Sequence, residues 1–407
     1  AGLVLVQGGD GLRRPSAARM SAERARATPR LRVAVLNRIF ARTGGGAESY
    51  SIALVEHLAS HHDVHVFAQT INHQWPGVTY HTVSCPLRKP RWVNQLWYAF
   101  ATWRATRTGF DAVHSHENTW HGHVQTIHVE PVRLSLFKGL AGGRRLLRWL
   151  KVATSPRLLT YLALEAARMR VGAGRQVVVT SPALAQDVIS AYPRMAGHLA
   201  VVTPGVNLPQ EKLSTGQARQ QLGMVATGRL VLLVANDYAR KGLGTLLSAL
   251  ALLPDDVHLA VVGNAAHIPR FEAEAAALGL KGRVHFLGPL SDVGPAYCAA
   301  DVLAHPTLGD TFAMVVLEAM AHGLPVVVSG VAWCGISGLL TDGQEAVLLQ
   351  SPTDAHALAA SLQVVLDDPA LAEQLRDQGH QFAARHSWAA AAQACEAVYL
   401  NSLTPPT

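Results

Sequence analysis

The sequence predicts an α/β protein of two doubly wound domains facing each other across a cleft, and three observations carry that reading. The run Arg32-Val33-Ala34-Val35-Leu36 is followed by a loop holding Gly44-Gly45-Gly46, then by a stretch with Ile52, Leu54, Val55 and Leu58 on one side, then by Val64-His65-Val66-Phe67-Ala68. Strand, glycine turn, helix and strand make a βαβ unit, which implies a parallel sheet covered on both faces. A second, cleaner alternation begins after Pro204-Gly205-Val206-Asn207. The composition is 49% hydrophobic, rich in Ala, Val, Leu and Gly, and only 6% aromatic, which suits alternating strands and helices better than a sandwich. At 407 residues the chain is too long for one ordinary core.

In the first domain, taken as 31–205, strands are predicted at 32–36, 64–68, 78–83, 112–115, 124–128 and 176–180, with a helix at 47–60. In the second, taken as 206–386, a polar linker reaches about Gly228. Strands at 230–235, 257–262, 284–287, 302–305 and 326–329 then alternate with helices at 242–252, 269–278 and 293–299. One more helix starts around Thr311 and is stopped by Gly323-Leu324-Pro325. A last helix, about 388–400 within a closing segment 387–407, stands outside the alternation. Residues 1–30 are rich in Ala and Arg, with a Leu3-Val4-Leu5-Val6 stretch too small for a signal peptide. They read as a disordered leader, with Met20 as a candidate start.

Cys85, Cys298, Cys334 and Cys395 lie far apart with no C-x-x-C pair, which argues against a zinc site or disulfide framework and for a reducing compartment. No apolar run approaches membrane-spanning length. The net charge of +7 is unevenly spread: between Arg88 and Arg175 fifteen Lys or Arg face only Asp111, Glu117, Glu130 and Glu165. That asymmetry points to an anionic partner for the first domain: a membrane surface, an acidic glycan or a nucleic acid.

The segment from His305 to Met320 is the densest in chemistry. A strand ends near His305, a loop carries Asp310, and Glu318 follows eight positions later, roughly two turns into the helix. The free amides of Phe312, Ala313 and Met314 are expected at the helix mouth beside Asp310, where they would grip an electron-rich ligand. Arg240-Lys241 lie in the loop between the second domain's first strand and first helix, the carboxyl edge where open parallel sheets bind ligands. Cations oppose the helix dipole there, so the pair hints at an anion; a solvated charged turn is the alternative. The loop Gly44-Gly45-Gly46-Ala47-Glu48 permits close backbone approach to a phosphate, or simply caps a helix, and is neither a dinucleotide nor a P-loop fingerprint. Of His114, His116, His121, His123 and His128, most read as surface or loop residues, and the strand-end position of His128 makes it the best placed for a cleft. Segments 88–107 and 138–169 interleave cations with Trp92, Trp97, Tyr98, Trp103 and Trp149. They fit an anionic bilayer surface, while packed helices with solvated Arg heads, or nucleic-acid contact without a recognised motif, are the alternatives.

Taken together these residues resemble the retaining family 4 glycosyltransferases of the GT-B fold, which has two Rossmann-like domains. The resemblance rests on Gly45-Gly46-Ala47-Glu48, Arg240-Lys241-Gly242, Asp310 through Glu318, the following Ala319-Met320-Ala321-His322-Gly323-Leu324-Pro325-Val326-Val327, and the late Ser387-Trp388. It runs from about residue 31 to 400 and is specific as a combination. Within the family, the segment Asp237–Gly242 and the Cys334-Gly335 loop are most similar to the lipopolysaccharide core glucosyltransferase I group. The resemblance implies that Arg240 and Lys241 bind the donor diphosphate and that Glu318 binds the nucleoside ribose. By the same resemblance, Asp310 and the amides of Phe312, Ala313 and Met314 hold the sugar hydroxyls. Gly45 and Gly46 would approach phosphate or sugar, His128 would line the sugar pocket, and Gly263 and Leu290 the nucleoside site. The closing helix would cross back to the first domain. Asp310 stands where the family usually has Glu, Ala235-Asn236 where it has Gly-Arg, and Gly335-Ile336-Ser337 where it has Pro-Glu.

The activity so implied is transfer of a hexose, glucose by analogy, from a nucleotide diphosphate sugar to a lipopolysaccharide-core or other glycan or lipid-linked acceptor. No metal or other cofactor and no nucleic acid is expected. The expected place is cytoplasmic, peripheral on the inner face of the inner membrane. A nucleotide-sugar 2-epimerase and a non-catalytic glycan-binding scaffold are the rival readings.

Overall fold

The structure, a computed structural model, describes residues 29–41, 46–211, 213–224 and 228–403. Residues 1–28 of the expected leader, Met20 among them, and Gly45 fall outside them. The chain divides into two units. One comprises residues up to Thr180, Ala185–Val202 and the stretch from Ala391; the other comprises Ser181–Leu184 and Thr203–Ala390.

The first unit is built on strands β1 (Arg32–Leu36), β2 (Ile39–Phe40), β3 (Asp63–Ala68), β4 (Thr70–Ile71), β5 (Val78–Thr82), β6 (Ala112–Ser115), β7 (Val124–Ile127), β8 (Gln176–Val179) and β9 (Leu199–Val201). Seven of them form one sheet in the order β5-β3-β1-β6-β7-β8-β9, every pairing parallel. Strand β1 is central, so Val33, Ala34, Val35 and Leu36 are all fully buried, as expected of a strand covered on both faces. The helix Gly46–Leu58 turns Tyr50, Leu54, Val55 and Leu58 inward. The last helix, Trp388–Leu403, brings buried Tyr399 to His114, with Tyr399 Oη 2.7 Å from His114 Nδ1, and Glu396 Oε1 to 3.1 Å from His62 Nε2.

The second unit carries β10 (Arg229–Ala235), β11 (Val257–Gly263), β12 (Val284–Gly288), β13 (Val302–His305), β14 (Val326–Ser329) and β15 (Val347–Leu349). They form a parallel sheet in the order β12-β11-β10-β13-β14-β15. Alternation along β10 feeds two cores. Leu230 and Leu232 join the cluster around Phe312, Leu317 and Met320, while Val231 and Leu233 join the one around Leu246, Phe271 and Leu358.

Two expectations are corrected at the level of elements. The helix expected from Thr311 spans Met314–Ala321, because Ala313 adopts φ 74°, left-handed and outside the helical region. The three-residue edge strands β9 and β15, too short to show a period, were not predicted. No helix among the described residues is long and apolar enough to cross a membrane.

Candidate functional site

In the second unit the strand order reverses between β10 and β13, and ligands of open parallel sheets bind outside the carboxyl ends of strands at such a point. The loops leaving those two strands carry Arg240-Lys241 and Asp310. They are sewn together: the Leu308 amide donates to the Arg240 carbonyl at 2.8 Å, and Gly242, at φ 78°, lies so close that a Cβ would stand 2.0 Å from the Pro306 oxygen. Glycine is therefore needed at 242 on both counts. Lys241 Nζ donates to Asp310 Oδ2, and His305 Nε2 lies 3.4 Å from the same oxygen. Burial by itself would raise the Asp310 carboxyl. The contact with His305 and the charge of Lys241 outweigh it and hold the group well below the usual carboxylate range. Burial lowers His305, with Asp310 pulling the other way. Arg240 is exposed beyond this pair, its amide donating to Asp237 Oδ1 at 3.1 Å.

The amides expected to be free at the helix mouth are not all free. Phe312 and Ala313 donate to Asp310 Oδ1 at 3.2 and 2.9 Å, so the carboxylate closes a local turn over them and Met314 is left as the amide outside it. Aspartate, with its short side chain, folds back onto its own backbone in this way. Asp310 thus organises Lys241 and the loop, rather than standing beside a vacant row of donors.

Glu318 sits about one turn into Met314–Ala321, half-buried. Tyr297 Oη donates to its Oε2 at 2.7 Å, and the Tyr297 ring lies 5.0 Å from that of His322. Burial raises the Glu318 carboxyl, with Tyr297 and His322 opposing. Gly263 ends β11 at φ 144°, where a Cβ would stand 1.7 Å from the Ala235 oxygen, so only glycine lets the two strand ends close up. Leu290, partly buried, packs on the cluster that includes Phe312 and Ala313. The second unit therefore brings Arg240, Lys241 and Asp310 together at its switch point. Tyr297 and His305 are partners that the sequence did not single out. His305 was legible only as a strand end, and Tyr297 carried no local signal.

In the first unit the corresponding reversal lies between β1 and β6. Of the glycine loop there, Gly45 lies outside the described residues and Gly46 opens the helix Gly46–Leu58. Arg38 and Glu117 follow the two strands; the Arg38 amide donates to Glu117 Oε1 at 3.2 Å, with Arg38 Nε 3.9 Å from the same oxygen. Burial raises the Glu117 carboxyl and Arg38 opposes it. Of the histidines expected mostly at the surface or in loops, His116, His121, His123 and His128 do lie in loops but are half-buried, and His114 is fully buried within β6, because β6 and β7 are central strands. His114 Nε2 lies 2.6 Å from Thr126 Oγ1, and His116 Nδ1 2.9 Å from His128 Nε2. The His116 and His128 rings stack at 5.2 Å, and Tyr50 meets His128 edge-on at 5.0 Å. Burial and then the charge of Arg168 lower His114 and His128, each to about 3. Among the described residues no group of three or more His, Cys, Asp or Glu could hold a metal ion.

Elsewhere on this unit the helix Gly142–Ala153 buries only Val152. It leaves Leu146, Leu147, Trp149 and Leu150 at least half exposed between Arg144, Arg145, Arg148 and Lys151. Trp97, Phe100 and Trp103 are exposed on the helix Arg91–Thr106.

Two parallel doubly wound units, with a cation pair and a carboxylate-bearing helix at the second switch point, define a protein of the GT-B fold class. The chain belongs to the group 1/family 4 glycosyltransferases. Residues 44–210 match the model described as Glycosyltransferase Family 4, and residues 228–368 the one described as Glycosyl transferases group 1. The D-inositol 3-phosphate glycosyltransferase of Corynebacterium diphtheriae is 32% identical over 238 residues, 55% of this chain and 55% of that protein. The lipopolysaccharide glucosyltransferase WaaG of Escherichia coli is 30% identical over 217 residues, 51% of this chain and 57% of that protein. The match thus spans about half the length of these curated relatives. The crystal structure of WaaG, a glycosyltransferase involved in lipopolysaccharide biosynthesis, superposes with a TM-score of 0.75 at 22% identity, covering 89% of this chain and 98% of that one. At that identity it bears on the fold, which is GT-B.

Proposed function

We propose that this protein is a retaining glycosyltransferase that moves a hexose, glucose first among candidates, from a nucleotide diphosphate sugar to a lipopolysaccharide-core or other cell-envelope glycan. The observation that carries this reading is the Arg240, Lys241 and Asp310 constellation at the second unit's switch point, with Glu318 on the adjoining helix. Breaking the anomeric bond puts negative charge on the leaving diphosphate while positive charge grows on the ring. Arg240 offers a planar fork and Lys241 an ammonium of three donors, one of which is held by Asp310. Such fixed donors stabilise the departing charge more than they stabilise the ground state. Glu318, oriented by Tyr297, takes the ribose hydroxyls, and Gly263 gives the nucleoside close access to the backbone. The leaving phosphate oxygen takes the acceptor proton, so no separate base is demanded. The two cations take the place of a metal, and turnover is expected to survive EDTA. The name of the E. coli relative, a lipopolysaccharide glucosyltransferase, supports glucose and a lipopolysaccharide acceptor.

The exposed leucines and tryptophan of Gly142–Ala153, set among four cations, support peripheral binding to the anionic cytoplasmic face of a membrane. Thermal shifts across a panel of nucleotide sugars test the donor, since binding stabilises by mass action and needs no acceptor. A shift with UDP-glucose and none with the other sugars is expected, and a flat panel would overturn the reading. Pelleting with anionic but not neutral vesicles at low salt tests the membrane arm.

A further inference from the structure

His305 closes β13, a strand paired on both sides, and is fully buried. Its carbonyl takes the Thr307 amide at 2.8 Å and Ser329 Oγ at 3.4 Å, which pins the residue where the sheet ends. The ring is less fully engaged. Neither nitrogen has a hydrogen bond of good geometry among the described residues, and Nε2 makes one long contact, 3.4 Å to Asp310 Oδ2. That contact fixes the tautomer. An ionised carboxylate only accepts, so the nitrogen facing it carries the proton. A second proton on Nδ1 would be a buried N–H with nothing to accept it, and burial already lowers this imidazole. His305 is therefore a neutral ring with its hydrogen on Nε2 and a bare lone pair on Nδ1.

The same contact decides how firmly Lys241 is held. A lysine ammonium is a point charge on a flexible four-carbon stem, and the group that fixes this one is Asp310 Oδ2. Asp310 is itself held at its backbone, its amide donating to the Trp333 carbonyl at 2.8 Å and its carbonyl accepting from the Gly335 amide at 2.9 Å. Oδ1 is tied to the Phe312 and Ala313 amides of its own loop. Oδ2 meets only Lys241 and His305 among the described residues. Of those two, Lys241 is the mobile one and His305 is set in the sheet. Without the ring, Oδ2 would be tied only to the ammonium that it has to hold.

We propose that His305 is a positioning residue for the transfer: through Asp310 it holds the Lys241 ammonium at the leaving diphosphate. The functional half of this inference rests on the reading that Lys241 faces the diphosphate; the file of His305, Asp310 and Lys241 does not. A small displacement of a group at a developing charge costs rate far more than it costs substrate binding, so the ring acts chiefly on kcat.

The test uses the full chain with UDP-glucose as the donor and UDP release as the readout, with enzyme in excess where turnover is slow. His305→Leu should lower kcat about tenfold with KM for UDP-glucose held within about threefold. His305→Gln, which returns an N–H near the place of Nε2, should recover to within about threefold of wild type. Added to Lys241→Ala, His305→Leu should cost less than about twofold more, because the cation it serves is gone. Equal losses in the two backgrounds would mean that the ring supports the fold or some other group, and would overturn the proposal. A wild-type His305 protonated on Nδ1 would overturn it too; long-range ¹H–¹⁵N spectra of ¹⁵N-histidine-labelled protein distinguish the tautomers, and His305→Gln assigns the signal by its loss. If Lys241→Ala turns over at the wild-type rate, the diphosphate reading fails and the proposal with it. If Lys241→Ala is slow and His305→Leu is not, the proposal fails alone.

Discussion

The two units present the same piece of topology, the carboxyl edge of a parallel sheet where strand order reverses, and furnish it in opposite ways. The second unit places charge there: Arg240 exposed, Lys241 against Asp310, Glu318 oriented by Tyr297. The first places mainly neutral rings there, with His114 tilted against His116, His116 stacked on His128, and one Arg38–Glu117 pair beside them. Partners decide the difference. Burial would raise the Asp310 carboxyl, but His305 and Lys241 hold it ionised, whereas His114 and His128, buried and faced by Arg168, are held neutral. A charged edge suits a diphosphate, and a neutral edge that gives and takes hydrogen bonds suits hydroxyls.

Removing the charge from the charged edge should have the largest effect. Lys241→Ala takes away one of the two cations proposed to face the departing diphosphate and, among the described residues, leaves Asp310 with His305 as its ring partner. A loss of about a thousandfold in kcat is expected, from the known weight of a fixed donor at a developing anion. Stopped assays of nucleotide release measure it, and turnover within threefold of wild type would break the assignment of this edge to the diphosphate.

Acid separates the two edges next. In the unfolded chain an imidazole titrates near about 6.5 and an aspartate near about 3.9. His114 and His128 are lowered to about 3 in the fold, so between those values the unfolded chain takes up protons that the folded one refuses. Each then withdraws about 1.4 kcal/mol of stability per pH unit as pH falls from about 6.5, or about 2 kcal/mol by pH 5. Asp310 is lowered too, but for a carboxylate the stability is present above the unfolded value and is lost only as pH falls below about 3.9. Incubation at pH 5, followed by a neutral pulse of hydrogen exchange, should label β6 and β7 before β10 and β13. Simultaneous labelling would contradict the contrast.

The two edges also differ in how much of them the sequence disclosed. The second was readable because its chemistry is local: Arg240 and Lys241 are adjacent, and Asp310 and Glu318 belong to one strand–loop–helix passage whose stop signal is in place. What that passage hid is the fold-back of Asp310 onto the Phe312 and Ala313 amides, since it depends on the left-handed turn at Ala313, a residue with no propensity for it. The first edge was hidden because it is assembled from afar. His114 is fixed by Tyr399, 285 positions later, and a histidine-rich stretch looks solvent-facing until the strands bearing it are known to be central.

The smallest predicted effect tests whether a side chain at the second edge is held in place by a neighbour that does not itself reach the ligand. Tyr297 is fully buried around its hydroxyl, and burial followed by the nearby Glu318 raises that hydroxyl well above its ordinary value, so it remains a donor at any working pH. Its bond to Oε2 orients the Glu318 carboxylate, which is proposed to take the ribose. Tyr297→Phe keeps the ring packed and deletes only that bond, a change of about 1 kcal/mol. Because ribose contacts are made equally before and during reaction, KM for the donor should rise about fivefold with kcat unchanged. A fall in kcat at constant KM would instead place Glu318 among the groups that act on the transition state, and the division of labour between ribose and diphosphate along this edge would have to be redrawn.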